Sequence, residues 1–137
     1  MSGNRELSVA FIGDIMCHGV QLQAAQNKSD GTYSFLNNFI YTKPHIQAAD
    51  LAVCNLETTL AGKDFAGYPK FSTPDAIADA IADAGFQIVA TANNHSNDTG
   101  TEGIVRTVEV LRSRGLSVIG TKATASDTGF AVTDVKG

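Results

Sequence analysis

The sequence predicts an α/β protein, with a mostly parallel sheet and flanking helices. Short apolar runs alternate with stretches of helical periodicity along the chain. The runs are continuous rather than alternating, as in strands buried on both faces. They end at glycine or at polar clusters, such as Gly13-Asp14, Asn55, Asn93 and Gly120.

The first strand is expected over residues 7–12, where Leu-Ser-Val-Ala-Phe-Ile is stopped by Gly13-Asp14. Residues 33–49 read as partly helical, with an interruption at Lys43-Pro44, because proline steers its predecessor out of the helical region. The second strand is expected over residues 51–54, entered from Asp50 and left at Asn55. Residues 62–71 hold two glycines, a proline and mixed charges, and form a loop in a position where loops carry function.

A helix follows, with Thr73 as N-cap, Pro74 at its first position and Gly85 at its C-terminal stop. Ile77, Ala78, Ile81 and Ala84 form its apolar stripe, and Asp75, Asp79 and Asp83 its solvated side. The third strand covers residues 86–91 and ends in Asn93-Asn94-His95. The next helix opens with Thr99-Gly100-Thr101-Glu102, a capping-box pattern. Ile104, Val105, Val108 and Leu111 face inward. Arg112 and Arg114 complement the dipole in the last turn, and Gly115 ends it. A fourth strand follows over residues 116–119, and a weaker fifth over residues 130–133.

The 137 residues, 43% hydrophobic and 18% charged, suit one domain with a real core. A net charge of -4 argues against general nucleic-acid binding, which needs a basic face. No run of about 18 apolar residues is present, so no membrane span is expected. The polar first seven residues carry no apolar signal core. Cys17 and Cys54 permit one disulfide at most, form no CxxC pair, and read as buried thiols.

The polar clusters carry the chemistry. In open α/β sheets, ligands bind beyond the carboxyl ends of the strands. Parallel strands therefore bring Asp14, Asn55, Glu57, Asn93, Asn94 and His95 to one rim, with Asp98 and His18 as further candidates. Carboxylate, amide oxygen and imidazole are ligands for Mg, Mn, Zn or Fe. A histidine beside them is placed to protonate a leaving oxygen. The competing reading is turn and capping chemistry, which explains an Asp after a strand but explains the run Asn93-Asn94-His95 poorly. His45 reads as a surface residue. A zinc site from Cys17, His18, Cys54 and His95 matches no compact zinc spacing. Free N–H groups at Thr99-Gly100-Thr101 offer a small-anion site as a further alternative.

These motifs form an ordered series: Gly13-Asp14-Ile15-Met16, Asn55-Leu56-Glu57-Thr58, Ala92-Asn93-Asn94-His95 and Asp98-Thr99-Gly100. The series resembles the CapA family of bacterial poly-γ-glutamate capsule synthesis proteins, itself similar to the calcineurin-like metallophosphoesterases. The likeness runs from about Leu7 to Gly120.

The resemblance implies that residues 1–137 are a single CapA-like domain, the N-terminal part of a metallophosphoesterase-like αββα sandwich, truncated on its C-terminal side. It implies a role in capsule or poly-γ-glutamate biosynthesis, with a metal-dependent phosphoester hydrolase or a non-catalytic polymer- or partner-binding component as the two forms. Carried over by position, Asp14, Glu57 or Asn55, and Asn94 would be metal ligands, with His95 assisting the leaving group beside Asp98. Met16 stands where the metallophosphoesterase pattern has His, and Glu57 where Asp is usual. The expected cofactor is a divalent metal (Mn, Mg, Zn or Fe). The expected partners are an anionic polymer or phosphoester and other capsule synthesis proteins. The expected location is the cell envelope outside the cytoplasm, with the cytoplasm as alternative. An uncovered sheet face is expected to make this chain self-associate.

Overall fold

The computed structural model describes residues 6–136. Four strands form one sheet in the order β1 (Val9–Ile15), β2 (Leu51–Leu56), β3 (Ile88–Ala90) and β4 (Ser117–Ile119). Every neighbouring pair is parallel, with Val9 opposite Leu51, Val53 opposite Ile88 and Val89 opposite Val118. The crossovers carry α1 (Gly19–Ala25), α2 (Lys43–Ala48), α3 (Ala76–Ala84) and α4 (Gly100–Ser113). The α/β class and parallel sheet are as the sequence predicts.

One face of the sheet is sealed. Ala52, Cys54, Leu56 and Val89 lie in a single core with Ile77, Ala78, Ile81 and Ala84 of α3 and Val108 and Leu111 of α4. The α3 stripe thus faces inward as predicted, whereas on α4 Val108 and Leu111 are buried with Thr107 and Val110, and Ile104 and Val105 stay half-buried. Full burial of Ile81 and Leu111 contributes about 1.5–3 kcal/mol each by area removed from water. The opposite face is open at its edge. On β1, Val9 is 37% and Phe11 77% exposed.

The structure departs from the sequence reading in five places. The first strand runs on to Ile15 through a register shift between Ile12 and Ile15, so Gly13-Asp14 lies inside it. Helix α1 arises where none was expected, and buries only Leu22. Pro44 opens α2 rather than interrupting a helix, since the first turn does not use its missing N–H. Neither predicted threonine hydroxyl makes a cap bond to its helix. Asp75 holds the N-cap position of α3, while the Thr73 hydroxyl pairs with Thr58 at 2.8 Å. Thr99 does hold the N-cap position of α4, but its hydroxyl donates to Thr59 Oγ1 and accepts no helix N–H. Residues 130–133 form no strand: Phe130 and Val132 are exposed and find no sheet neighbour.

Candidate functional site

The rim begins with the chain leaving the sheet. β1, β2 and β3 run in parallel, so their C-terminal residues emerge on the same edge. The bulge in β1 puts Asp14 at φ 33 and turns its carboxylate toward β2. There Asn55 Nδ2 donates to Asp14 Oδ1 at 2.8 Å and to Glu57 Oε2 at 3.3 Å. One amide therefore spans both carboxylates.

The orientation of that amide is set from the backbone. Asn93 Nδ2 donates to the carbonyl of Leu56 at 2.9 Å, and Asn93 Oδ1 accepts from the His95 N–H at 3.0 Å. A carbonyl only accepts and an N–H only donates, so Asn93 has one possible orientation. Its second amide hydrogen goes to Asn55 Oδ1 at 3.0 Å. The oxygen of Asn55 is thereby taken, and its NH2 faces Asp14 and Glu57. Ser96 secures the turn, with its hydroxyl on the carbonyls of Thr91 and Asn93 and accepting the Asn93 N–H.

The two carboxylates differ. Hydrogen bonds from Asn55 and then from Glu57 hold the Asp14 carboxyl below its ordinary range. Burial first, then the Asp14 charge, push Glu57 up, partly offset by His95 and by a hydrogen bond from Asn94. The hydrogen-bond chain from Asp14 and Glu57 through Asn55 and Asn93 to the His95 N–H ties these groups into one cluster.

His95 is held from the other side. Its Nδ1 lies 2.8 Å from Asp98 Oδ2, and the same oxygen accepts the Phe71 N–H at 2.6 Å. A carboxylate oxygen accepts, so Nδ1 carries hydrogen and Nε2 is the nitrogen left for chemistry. Both side chains are largely buried, at 15% and 12% exposure. The buried Phe71 ring meets His95 edge-on at 4.6 Å and His18 at 5.1 Å. His18 therefore borders the site through Phe71, with its own N–H bonded to Gln21 Oε1 at the start of α1.

Of the predicted residues, Asp14, Asn55, Glu57, Asn94, His95 and Asp98 meet at the rim, and His18 stands at its border. Sequence reasoning missed the orienting part of Asn93, the Phe71 N–H and the Ser96 hydroxyl. The run Asn93-Asn94-His95 was the available signal, since a strand end needs one polar group to tie it down as well as one to act. His45 is exposed on α2, as expected. Cys17 and Cys54 are free and buried, with burial pushing their thiols up to about 11 and about 12. Neither is a thiolate ready to bind zinc.

Among the described residues, no three His, Cys, Asp or Glu side chains are grouped to hold a metal ion. The donor set fits one hard divalent cation on the carboxylate oxygens of Asp14 and Glu57 that Asn55 leaves free, with Asn94 beside them. It does not fit two ions bridged between those residues, because amide hydrogens point into that space.

A cavity of about 480 Å³ that none of the rim carboxylates lines is bordered by Lys63, Asp64, Thr99, Glu102 and Arg106. Asp75 takes the Arg106 guanidinium through two bonds of 2.7 and 2.8 Å. The one cationic group fixed in that wall is thus already paired.

Fold and rim together define an α/β protein whose polar site is assembled at the C-terminal ends of parallel strands. The chain belongs to the family described as bacterial capsule synthesis protein PGA_cap, which it matches over residues 8–137. It is 26% identical over 123 residues to the capsule biosynthesis protein CapA of Bacillus anthracis, across 85% of this chain and 29% of that protein. It is 26% identical over 125 residues to the PGA biosynthesis protein CapA of Bacillus subtilis (strain 168), across 88% of this chain and 32% of that protein. The chain thus spans under a third of the length of these curated relatives. No helix among the described residues is long and apolar enough to cross a membrane.

Proposed function

We propose that the rim is a metallophosphoesterase-like site used in capsule or poly-γ-glutamate biosynthesis, acting at the cell envelope. The observation that supports this is the His95–Asp98 pair. A largely buried carboxylate, itself fixed by a backbone N–H, holds an imidazole by one nitrogen beside two carboxylates. That is the arrangement of an oriented proton donor. In the hydrolysis of a phosphoester, water adds to phosphorus and gives up a proton to bulk water, and the P–O bond to the leaving group breaks with its electron pair staying on that oxygen. His95 Nε2–H gives its proton to that oxygen, while Asp98 keeps Nδ1–H in place and stabilises the charged ring beforehand. Asp14 and Glu57, with Asn94, would hold a divalent cation, which supplies the positive charge that lets an anionic phosphoester approach two carboxylates.

The test is turnover of p-nitrophenyl phosphate and related esters by the protein as the cell makes it, with Mn or Mg present. Activity that His95→Ala abolishes is the expected result. Turnover no greater than that of the His95→Ala control ends this reading.

A second reading is a non-catalytic component that binds polymer or partner proteins of a capsule synthesis complex. The exposed apolar edge of β1 at Val9 and Phe11 favours it. Capsule formation that survives Asp14→Ala supports this reading over the hydrolase, and loss of capsule opposes it.

A further inference from the structure

We propose that Asn93 is a positioning residue that, through Asn55, prevents the rim from holding a bridged pair of metal ions, so that the site takes at most one. The inference rests on the donor geometry and not on the hydrolytic reading. It departs from the binuclear arrangement that the metallophosphoesterase resemblance leads one to expect.

The Leu56 carbonyl and the His95 N–H belong to the backbone and cannot exchange roles. They bind the two ends of the Asn93 amide at 2.9 and 3.0 Å. Asn93 therefore presents N–H to Asn55, and Asn55 must answer with its oxygen at 3.0 Å. The Asn55 NH2 is left toward Asp14 Oδ1 and Glu57 Oε2.

Turning Asn55 over would set NH2 against NH2 on the Asn93 side and oxygen against two carboxylates on the other. Each mismatch loses a hydrogen bond to a partly buried group, and the second also adds repulsion. A pair of ions bridged between Asp14 and Glu57 would need the space of this NH2, whose hydrogens carry partial positive charge and repel a cation, whereas a single ion can use the carboxylate oxygens the NH2 leaves free. The space between the carboxylates is filled by a neutral donor that performs the holding task a bridging ion performs elsewhere.

The consequence reaches sequence alone. The Asn55→Asp side chain keeps an oxygen for Asn93 and exchanges the NH2 for a second oxygen between Asp14 and Glu57. That single substitution is expected to convert the rim into a three-carboxylate cation site.

The test is manganese stoichiometry, measured by elemental analysis after dialysis and by titration calorimetry, on the protein as the cell makes it. Wild type is expected to take no more than one Mn at the rim, defined as the part lost in Asp14→Asn. Asn55→Asp is expected to take an additional equivalent, or to bind Mn at least tenfold more tightly. Asn93→Ala frees Asn55 to turn its oxygen toward the carboxylates, and is expected to raise Mn affinity to a smaller extent. It also serves if Asn55→Asp fails to fold, with circular dichroism checking each variant. Two equivalents in wild type, both lost in Asp14→Asn, would overturn the proposal. So would unchanged Mn binding in Asn55→Asp or Asn93→Ala variants that fold. A count of zero in wild type upholds it but removes the cation from the proposed hydrolytic site, and absence of ester turnover leaves the count untouched.

Discussion

Asp98 Oδ2 accepts from two sources at once, the His95 ring at 2.8 Å and the Phe71 backbone at 2.6 Å, so one oxygen ties the loop before α3 to the turn before α4. The imidazole owes its orientation to a carboxylate that is itself held by the main chain.

The first prediction concerns that pair. His95→Gln is expected to lower kcat for phosphoester turnover by about 10²–10⁴-fold, the usual worth of a positioned acid. Asp98→Asn keeps an oxygen for the Phe71 N–H but loses the charge that stabilises the protonated ring. It is expected to lower kcat less. Steady-state kinetics checks both, and a kcat unchanged in Asp98→Asn would leave Asp98 with a purely structural part.

Gly62 sits at φ 76 with the Arg106 guanidinium against it, and a Cβ there would come within 2.6 Å of the guanidinium carbon. Arg106 cannot yield freely, because it binds Asp75 and the Leu60 carbonyl. Gly62→Ala is therefore expected to cost about 1–3 kcal/mol, from the left-handed backbone and the displaced ion pair together. Urea denaturation checks this, and an unchanged midpoint would mean that Arg106 moves aside at no cost.

Stability is expected to fall in acid between pH 4 and 2. The Lys136 ammonium and then the Ser8 N–H and hydroxyl hold Asp50 down at about 2. The Ala123 N–H and then Arg112 hold Asp127 at about 2. A carboxyl whose folded pKa lies below its unfolded value of about 4 favours folding when ionised. That contribution is complete above the unfolded value and is lost as pH drops through the folded one. Melting temperatures measured from pH 6 to pH 2 should show the fall, and Asp127→Asn should flatten it. An equally steep fall in that variant would assign the acid sensitivity elsewhere.

This chain on its own is expected to self-associate through the open face of β1. Phe11 is 77% and Val9 37% exposed on one side of an edge strand, and Leu7, just before that strand, is 52% exposed. Phe11→Ser is expected to raise the monomer fraction in concentration-dependent light scattering. A monodisperse monomer for the unaltered chain would contradict the expectation.

Much of the fold was legible because burial on both faces writes an unbroken apolar run. β3, with Ile88 and Val89, is of that kind, β2 is fully buried on the Cys54 side only, and the glycine-terminated helix shows its stripe at Ile77 and Ile81. The convergence of Asp14, Glu57 and His95 was legible too, since parallel strands leave little choice of edge. Helix α1 was not, because a helix that buries only Leu22 has no stripe to read. The caps were misjudged because Thr73 and Thr99 are drawn toward Thr58 and Thr59, neighbours that only the fold supplies. The part of Asn93 depends on the Leu56 carbonyl from another strand, and no local pattern encodes that meeting.

Asp14 occupies a backbone conformation, at φ 33, that few side chains adopt, inside the bulge of the first strand. Such a residue carries a cost on the order of 1–3 kcal/mol. Glycine would rest there comfortably and raise the melting temperature, while blinding the rim. Any search for a hardier variant guided by heat resistance alone will drift toward erasing this carboxylate, so a screen for durability here must also watch what the protein does.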